Sequence, residues 1–401
     1  MGYASKIGVY PNFMLGYIGK YIYFYFKRGK FMHCVLYFNQ WFSSIGNIIK
    51  RIKEINPSVY VIASSKIPDH VYKAFVDKFI VEESYANVDD YIDFVVNTCK
   101  ENKVNLFFVK DKQLEIAKNR NKFDEIGTGL VLENYDTLEK LSSKADVYGR
   151  LGEVDFLKWL IPDYYISDKY HNTSYNWVLH SIENGTCCFK YDSDEGGMSF
   201  RRVGDTSLNI DTLRNQQCTV VSKEQVLNMI KSASIDQMSK VLFMEILDSP
   251  EISVDCYNSS KGFIAVCRCK EQRKQRIFYN ELLYYICKEI ANTYKFTGPF
   301  NVQFRFKHGS DTDSLTNIRL LEVNPRMSGG LYYLASVGLD IAQAVLKDAL
   351  DKQGIGTEIR DYNIDDFRNF KDKYVTYIEH AVVLQGKNRE IDLVEVRNSG
   401  K

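Results

Sequence analysis

No apolar run of about 18 residues occurs in this chain, and a membrane-spanning helix requires one. The nearest candidate, the aromatic-rich stretch 8–26, is broken by Asn12, Gly16, Gly19 and Lys20. A secretory signal would need a cleaner apolar stretch and a small-residue cleavage site, so none is expected. Charge of one sign is also lacking. Lys and Arg number 52 against 51 Asp and Glu, a net charge of +1. No bulk field therefore argues for nucleic acid or an anionic membrane as partner. Cysteine is too sparse for a disulfide scaffold, with 9 in 401 residues. Cys187-Cys188 and Cys267-Arg268-Cys269 are too closely spaced for an ordinary bridge or a CxxC metal site. They read as reduced thiols in a cytoplasmic protein. The 6 histidines show neither HxxxH nor HxH spacing, which argues against zinc. No Ser-His-Asp arrangement can be argued from spacing, and His33, at a strand start, reads as structural. Proline is scarce, at 7, beside 28 Tyr and 24 Phe, a bias that codon usage explains as readily as function.

What remains is an ordinary globular composition, 45% hydrophobic and 26% charged. At this length it can bury a large core in two to three domains. Residues 1–31 read as an N-terminal extension. From there, 33–38, Val59–Ala63, Lys78–Val81 and Val104–Val109 read as strands. Asn47–Ile55, with Ile48, Ile49, Ile52 and Ile55 at helical spacing, and Tyr91–Cys99 read as helices. Strands alternating with helices predict a doubly wound parallel sheet over 32–135. No glycine fingerprint for phosphate follows the first strand, so this unit is expected to act as scaffold and to help bind substrate.

The character changes over 136–352. Asp136–Ala145, Gln225–Ser232, Asn280–Tyr294 and Ile341–Leu350 read as helices. Thr186–Tyr191, Val241–Leu247, Ile252–Asn258, Phe263–Lys270, Asn301–Phe306 and Ile318–Asn324 read as strands, with a turn at Asp248-Ser249-Pro250. The pattern predicts an α+β unit with antiparallel sheets and a smaller lobe at about 165–245. A polar tail, 353–401, carries two further strands, Val375–Ile378 and Ala381–Leu384.

The chemistry concentrates in Leu321-Glu322-Val323-Asn324-Pro325-Arg326-Met327-Ser328-Gly329-Gly330. On a strand, Glu322 and Asn324 share one face while Leu321 and Val323 turn to the core. Mg²⁺ asks for such hard oxygen ligands, with substrate phosphates completing its shell. Arg326 can pair with phosphate through two N–H groups, and Gly329-Gly330 lets backbone approach a ligand closely. In the preceding strand Asn301, Gln303 and Arg305 alternate with Val302, Phe304 and Phe306. A hairpin between the two strands would set Gln303 beside Glu322. Alone, Gln303 would read as part of a solvated strand face.

Lys190 ends a strand before the polar loop Tyr191–Ser199. Such a loop can cover phosphates with its N–H groups while the lysine supplies a point charge; it would equally serve as a surface hairpin. Phe243–Leu247 followed by Glu251 could read adenine through backbone groups and ribose through a carboxylate. An ordinary buried strand and turn acid would look the same.

In this order the segments resemble the ATP-grasp superfamily, most closely the synthetase domains of the carbamoyl-phosphate synthetase large subunit. There too a Gly-Pro-x-Asn-x-Gln strand precedes Glu-x-Asn-Pro-Arg. The likeness spans 32–350 in domain order and a few dozen residues in detail. It implies a parallel α/β domain preceding a two-lobed ATP-grasp domain. It implies ATP-phosphate contacts at Lys144 and Lys190 and a covering loop of Glu195, Gly196, Gly197, Met198 and Ser199. It further implies adenine contacts at Glu245 and Leu247, a ribose contact at Glu251, and Mg²⁺ (or Mn²⁺) ligands Gln303, Glu322 and Asn324. Arg326 would stabilise the transferring phosphoryl group and the acyl phosphate, and Arg268 matches a basic position near the phosphates or the substrate carboxylate, with Lys270, Arg273 and Arg276 competing for that role. Two departures stand out. Many members carry an acid where Gln303 stands, and the loop is acidic at Asp192, Asp194 and Glu195.

The resemblance implies an ATP-dependent carboxylate–amine ligase in the cytoplasm, with an amino acid or small amine as acceptor. A homodimer is expected, without nucleic acid or membrane as partner. A catalytically degenerate ATP-binding regulator, and a ligase that modifies a protein or peptide tail, are the alternatives. No second synthetase half, glutaminase or biotin-carrier segment is visible.

Overall fold

Apolar residues on successive positions, rather than alternate ones, mark the first strands, and the structure shows why. A computed structural model describes residues 34–167, 174–194, 196–206, 219–271, 274–356 and 358–376. Strands β1 (Val35–Asn39), β2 (Tyr60–Ser65), β3 (Lys78–Val81), β4 (Leu106–Phe108) and β5 (Gly129–Val131) form one parallel sheet, ordered β3-β2-β1-β4-β5. Both faces are buried. Leu36, Phe38, Val61, Ala63, Leu106 and Phe108 enter one core, while Tyr37, Ile62 and Phe107 enter the other. A parallel sheet covered on both sides needs such near-continuous apolar strands. The helix Ile45–Ile55 covers one face and Val88–Glu101 the other.

A second sheet follows, ordered β6-β10-β7-β8-β9. Its strands are β6 (Tyr164–Tyr165), β7 (Cys187–Tyr191), β8 (Arg201–Val203), β9 (Val220–Val221) and β10 (Val241–Glu245). The helices Tyr175–Asn184 and Lys223–Ser232 pack on it around Phe189 and Phe243. The third sheet is antiparallel throughout, in the order β15-β14-β11-β12-β13-β16. It comprises β11 (Leu247–Ser259), β12 (Gly262–Glu271), β13 (Lys274–Phe278), β14 (Pro299–Lys307), β15 (Ile318–Asn324) and β16 (Lys373–Thr376). The helix Glu281–Tyr294 packs on one face, Ile341–Lys352 on the other. Tyr257, Ile264 and Val266 of this sheet share a core with Leu36 and Phe38 of the first. That shared core fixes the parallel sheet against the antiparallel one, and the candidate site lies along this junction.

The structure departs from the sequence expectations in local ways. The single helix expected over Asp136–Ala145 is two, Tyr135–Leu141 and Lys144–Gly152. Ser143 adopts extended backbone and its side chain accepts from Asp146 N, starting a new helix. The strand and turn expected around Asp248-Ser249-Pro250 are one long strand, β11. Its pairing with β14 slips between Asp248 and Ile252, where Pro250 can give no ladder hydrogen bond. Strand β13 and the short helices Gln113–Lys118 and Arg120–Asp124 were not read from the sequence. The first tail strand is found at Lys373–Thr376. The extension 1–31, Glu195, Arg273 and the strand expected at Ala381–Leu384 lie outside the described residues. Among the described residues, no helix is long and apolar enough to cross a membrane.

One buried ion pair ties the third sheet together. Arg268 Nε donates to Asp255 Oδ2 at 2.6 Å, and both side chains are almost fully buried. Removing one partner leaves an uncompensated buried charge. Asp255→Ala is therefore expected to cost about 3–5 kcal/mol of stability, measurable as a lower midpoint in urea unfolding.

Candidate active site

The site begins with the β14–β15 hairpin. Its register sets Gln303 opposite Glu322, as expected, and also Asn301 opposite Asn324. Asn324 Nδ2 donates to Glu322 Oε1 at 2.9 Å, a bond that uses neither Asn324 Oδ1 nor the second Glu322 oxygen. Pro325 ends the strand. The result is one carboxylate and two side-chain amides at a strand end. Among the described residues, no group of three or more His, Cys, Asp or Glu could hold a metal alone. Such a donor set fits Mg²⁺ that arrives with nucleotide, because phosphate oxygens then complete the shell.

Across from it stand two lysines. Lys144 opens the helix Lys144–Gly152, and its Nζ donates to the carbonyls of Asp192, at 3.2 Å, and Asp194. Lys190, on β7, is nine-tenths buried, and no hydrogen-bond partner of its Nζ stands among the described residues. Burial first, then the charge of Lys144, pull its pKa from 10.5 to about 8, while Glu322 pulls back upward. Lys144, Glu322 and Asp192 are thus its charged neighbours. A buried cation whose acidic neighbours only partly offset its burial is suited to a phosphate.

Of the acidic loop residues, Asp192 and Asp194 are accounted for. Asp192 is buried and accepts from Ala145 N at 2.8 Å, anchoring the loop to the start of the helix. Asp194 accepts from Ser199 N at 2.7 Å and from Ser199 Oγ at 2.6 Å. Gly196 and Gly197 both take φ of 68°, a left-handed conformation that glycine adopts without steric cost. Met198, at 83% exposure, projects from the loop tip. Asp194→Ala should free this tip: faster protease cleavage within 192–199 is expected, with the melting temperature of the whole chain unchanged. Addition of a Mg·ATP analogue should slow cleavage in the unaltered chain.

A cleft of about 630 Å³ joins these parts. Lys144, Tyr148, Asp194, Glu322 and Asn324 line one side, and the loop from Lys110 to Glu115 lines the other. Tyr148, whose hydroxyl donates to Leu321 O at 2.7 Å, fastens the helix to β15. Neither Tyr148 nor the Lys110–Glu115 loop was singled out from the sequence. The loop had a readable signal: it follows β4, beside β1, where strand order reverses. In open α/β sheets ligands favour that switch point. Tyr148 carried none.

The remaining predicted residues lie apart from this wall. Glu245 ends β10 and Leu247 begins β11, at the crossing between two sheets. The Glu245 carboxylate accepts from Asp163 N at 3.0 Å and lies 3.9 Å from Arg319. The Glu245 backbone is engaged as well, its N–H donating to Asp163 O at 2.9 Å. Glu251 binds Lys270 at 2.9 Å and Arg305 at 3.3 Å. Burial works to raise its pKa, but those two cations outweigh it and hold the carboxyl below its ordinary value. Both carboxylate oxygens of the expected ribose contact are therefore already engaged. Arg268 is buried behind the site, held by Asp255, Gln275, Ser253 and Ser328. Arg326 instead lies over the ring of Phe42, 5.2 Å from its centroid.

Comparison with known proteins bears on the fold. Residues 237–370, a third of the chain, match the family described as ATP-grasp in the biosynthetic pathway with Ter operon. No curated protein matches the sequence. The biotin carboxylase domain of Hydrogenobacter thermophilus 2-oxoglutarate carboxylase, a dimer solved with MgADP and bicarbonate, superposes with a TM-score of 0.57. Identity is 12%, over 86% of this chain and 74% of that one. Campylobacter jejuni biotin carboxylase gives 0.55 at 14% identity, over 85% and 74% of the two chains. The L-amino acid ligase of Bacillus licheniformis gives 0.52 at 12%, over 83% and 78%. Identities this low speak for the fold. The fold is that of the ATP-grasp proteins.

Proposed function

We propose that this chain is an ATP-dependent ligase that phosphorylates a carboxylate and passes the acyl group to an amine, releasing ADP and phosphate. The observation that carries this reading is a cleft lined by Lys144, Glu322 and Asn324, with the buried Lys190 close enough to feel the charges of Lys144 and Glu322. The solved ATP-grasp ligases and carboxylases named above support it by likeness of fold. The division into 32–135, 136–352 and 353–401 is part of the same reading.

In this mechanism the protein positions reactants and offsets charge, and forms no covalent bond with them. Lys190 and Lys144 take the ATP phosphates, and the backbone between Glu245 and Leu247 takes the base. Gln303, Glu322 and Asn324 would hold Mg²⁺, which supplies Lewis-acid neutralisation of the phosphate charge. Arg326 offers two parallel N–H donors where charge develops on the transferring group. The 192–199 loop, bridged to the helix by Lys144 and Asp192, excludes water so that the acyl phosphate meets the amine first. The Lys110–Glu115 loop supplies the opposite wall, where carboxylate and amine would enter. The eight described cysteines are buried free thiols, which supports a reducing, cytoplasmic setting. Dimerisation is proposed by likeness to the dimeric carboxylase domain.

The test is ADP release from Mg·ATP against amino acids and small carboxylates, singly and in pairs. ADP appearing only with one pair establishes the ligase and names both substrates. Nucleotide binding without turnover for any pair would favour the regulatory or tail-modifying reading instead.

A further inference from the structure

We infer that Phe42, in the loop after β1, is a positioning residue for Arg326: its ring face holds the guanidinium at the strand end without neutralising it. The inference rests on the phosphoryl-stabilising role proposed above for Arg326.

Two arginines flank the Gly329-Gly330 turn, and they are held in opposite ways. Arg268 is bound to Asp255 at 2.6 Å and its other N–H groups reach Gln275, Ser253 and Ser328. Its charge and donors are spent inside the protein. The guanidinium of Arg326 has no carboxylate partner among the described residues, and its carbon lies 5.2 Å from the Phe42 centroid. A ring attracts a cation through its quadrupole but accepts none of its in-plane N–H groups. Charge and donors therefore both stay available to a phosphoryl group.

The ring is itself fixed. Phe42 packs edge-on against Trp41, with centroids 5.4 Å apart. Trp41 is buried, and its Nε1 donates to Phe108 O at 2.9 Å on the neighbouring strand β4. The turn is seated just as closely. A Cβ on Gly329 would lie 2.2 Å from Ser44 Oγ and 3.1 Å from Phe42 Cε2. A Cβ on Gly330 would lie 2.1 Å from Arg268 Cζ. Glycine is needed at both positions for close approach: the β1 loop presses on one residue and Arg268 supports the next. The parallel sheet thereby reaches through Trp41 and Phe42 to the arginine of the antiparallel sheet, and does more than wall the cleft.

The experiment compares Phe42→Leu, Phe42→Tyr and Arg326→Ala in the full chain, with Phe42→Met as a second apolar variant should leucine fail to fold. Steady-state ADP release from Mg·ATP gives kcat and KM, with the best substrate pair or with water as acceptor, and thermal unfolding gives the melting temperature. Phe42→Leu should lower kcat about tenfold, with KM for ATP and melting temperature close to the parent. Phe42→Tyr should restore kcat, and Phe42→Leu should add no further loss on top of Arg326→Ala. Parental kcat in Phe42→Leu, while Arg326→Ala is inactive, overturns the positioning role alone. Parental kcat in Arg326→Ala overturns both that role and the reading of Arg326. A loss shared by Phe42→Leu and Phe42→Tyr that follows melting temperature assigns Phe42 to packing and overturns the inference.

Discussion

Glu322→Ala should leave the chain folded and lower ADP release by on the order of 10²–10³-fold, the cost of one preorganised electrostatic group. Glu322 is the one carboxylate in the proposed metal set, opposite Gln303 and bound to Asn324. The two amides carry dipoles but no charge, so without Glu322 the cation would be held mainly by the phosphates it is meant to neutralise. The loss should appear in kcat and should be eased only slightly by excess Mg²⁺. Stability should fall only slightly, too little to unfold the chain. Glu322 is half-buried, and its neighbour Lys190 loses a partner that only partly offsets the cost of its burial. Steady-state kinetics over a Mg²⁺ titration, with circular dichroism as the control for folding, checks this result. Full turnover in a folded Glu322→Ala chain would remove the metal assignment.

Lys190→Met should weaken nucleotide binding by a similar order, about 10²–10³-fold, and should melt at or above the parent temperature. The sign follows from burial. The folded chain disfavours the ammonium, so the pKa falls from 10.5 to about 8. Between those values the unfolded chain binds more protons, and this group's contribution to stability rises with pH. Its penalty stands in full below about 8 and is relieved above 10.5. A methionine keeps the apolar stem and removes that penalty. Function runs the other way, because phosphate needs the charged form. Affinity for ATP should fall as pH rises through about 8, approaching about tenfold per pH unit beyond it. Bound phosphate would raise the lysine pKa, so nucleotide binding near that pH should take up a proton. Calorimetry in buffers of different ionisation enthalpy measures that uptake, and Lys190→Met should abolish it.

Where local pattern decided the structure, the sequence was legible. Alternation in Asn301–Phe306 and Ile318–Asn324 predicted a hairpin, and its polar face set the Gln303–Glu322 pairing that the structure contains. Strands alternating with helices over 32–135 predicted the parallel sheet, and burial on both faces accounts for the apolar run of its strands. Long-range pairings were not legible. Arg268 has a basic residue's spacing on β12, but its role depends on Asp255, brought within 2.6 Å by the β11–β12 register. Glu251 is likewise claimed by Lys270 and Arg305 from two neighbouring strands. The acids of the 192–199 loop looked hostile to phosphate in the sequence, yet Asp192 and Asp194 are engaged by Ala145 N and Ser199. Phe42 and Ser44 contact a turn nearly 300 residues further along the chain, and no local signal marks such a contact.

The central claim is that Lys190, Lys144 and Glu322 form one nucleotide site. Calorimetric titration of the full chain with a non-hydrolysable Mg·ATP analogue, beside Lys190→Met, tests it most directly. The account predicts saturable binding at one site per chain, dependent on Mg²⁺ and lost or greatly weakened in Lys190→Met. Absence of binding to the parent chain, or equal binding to the folded variant, would contradict it.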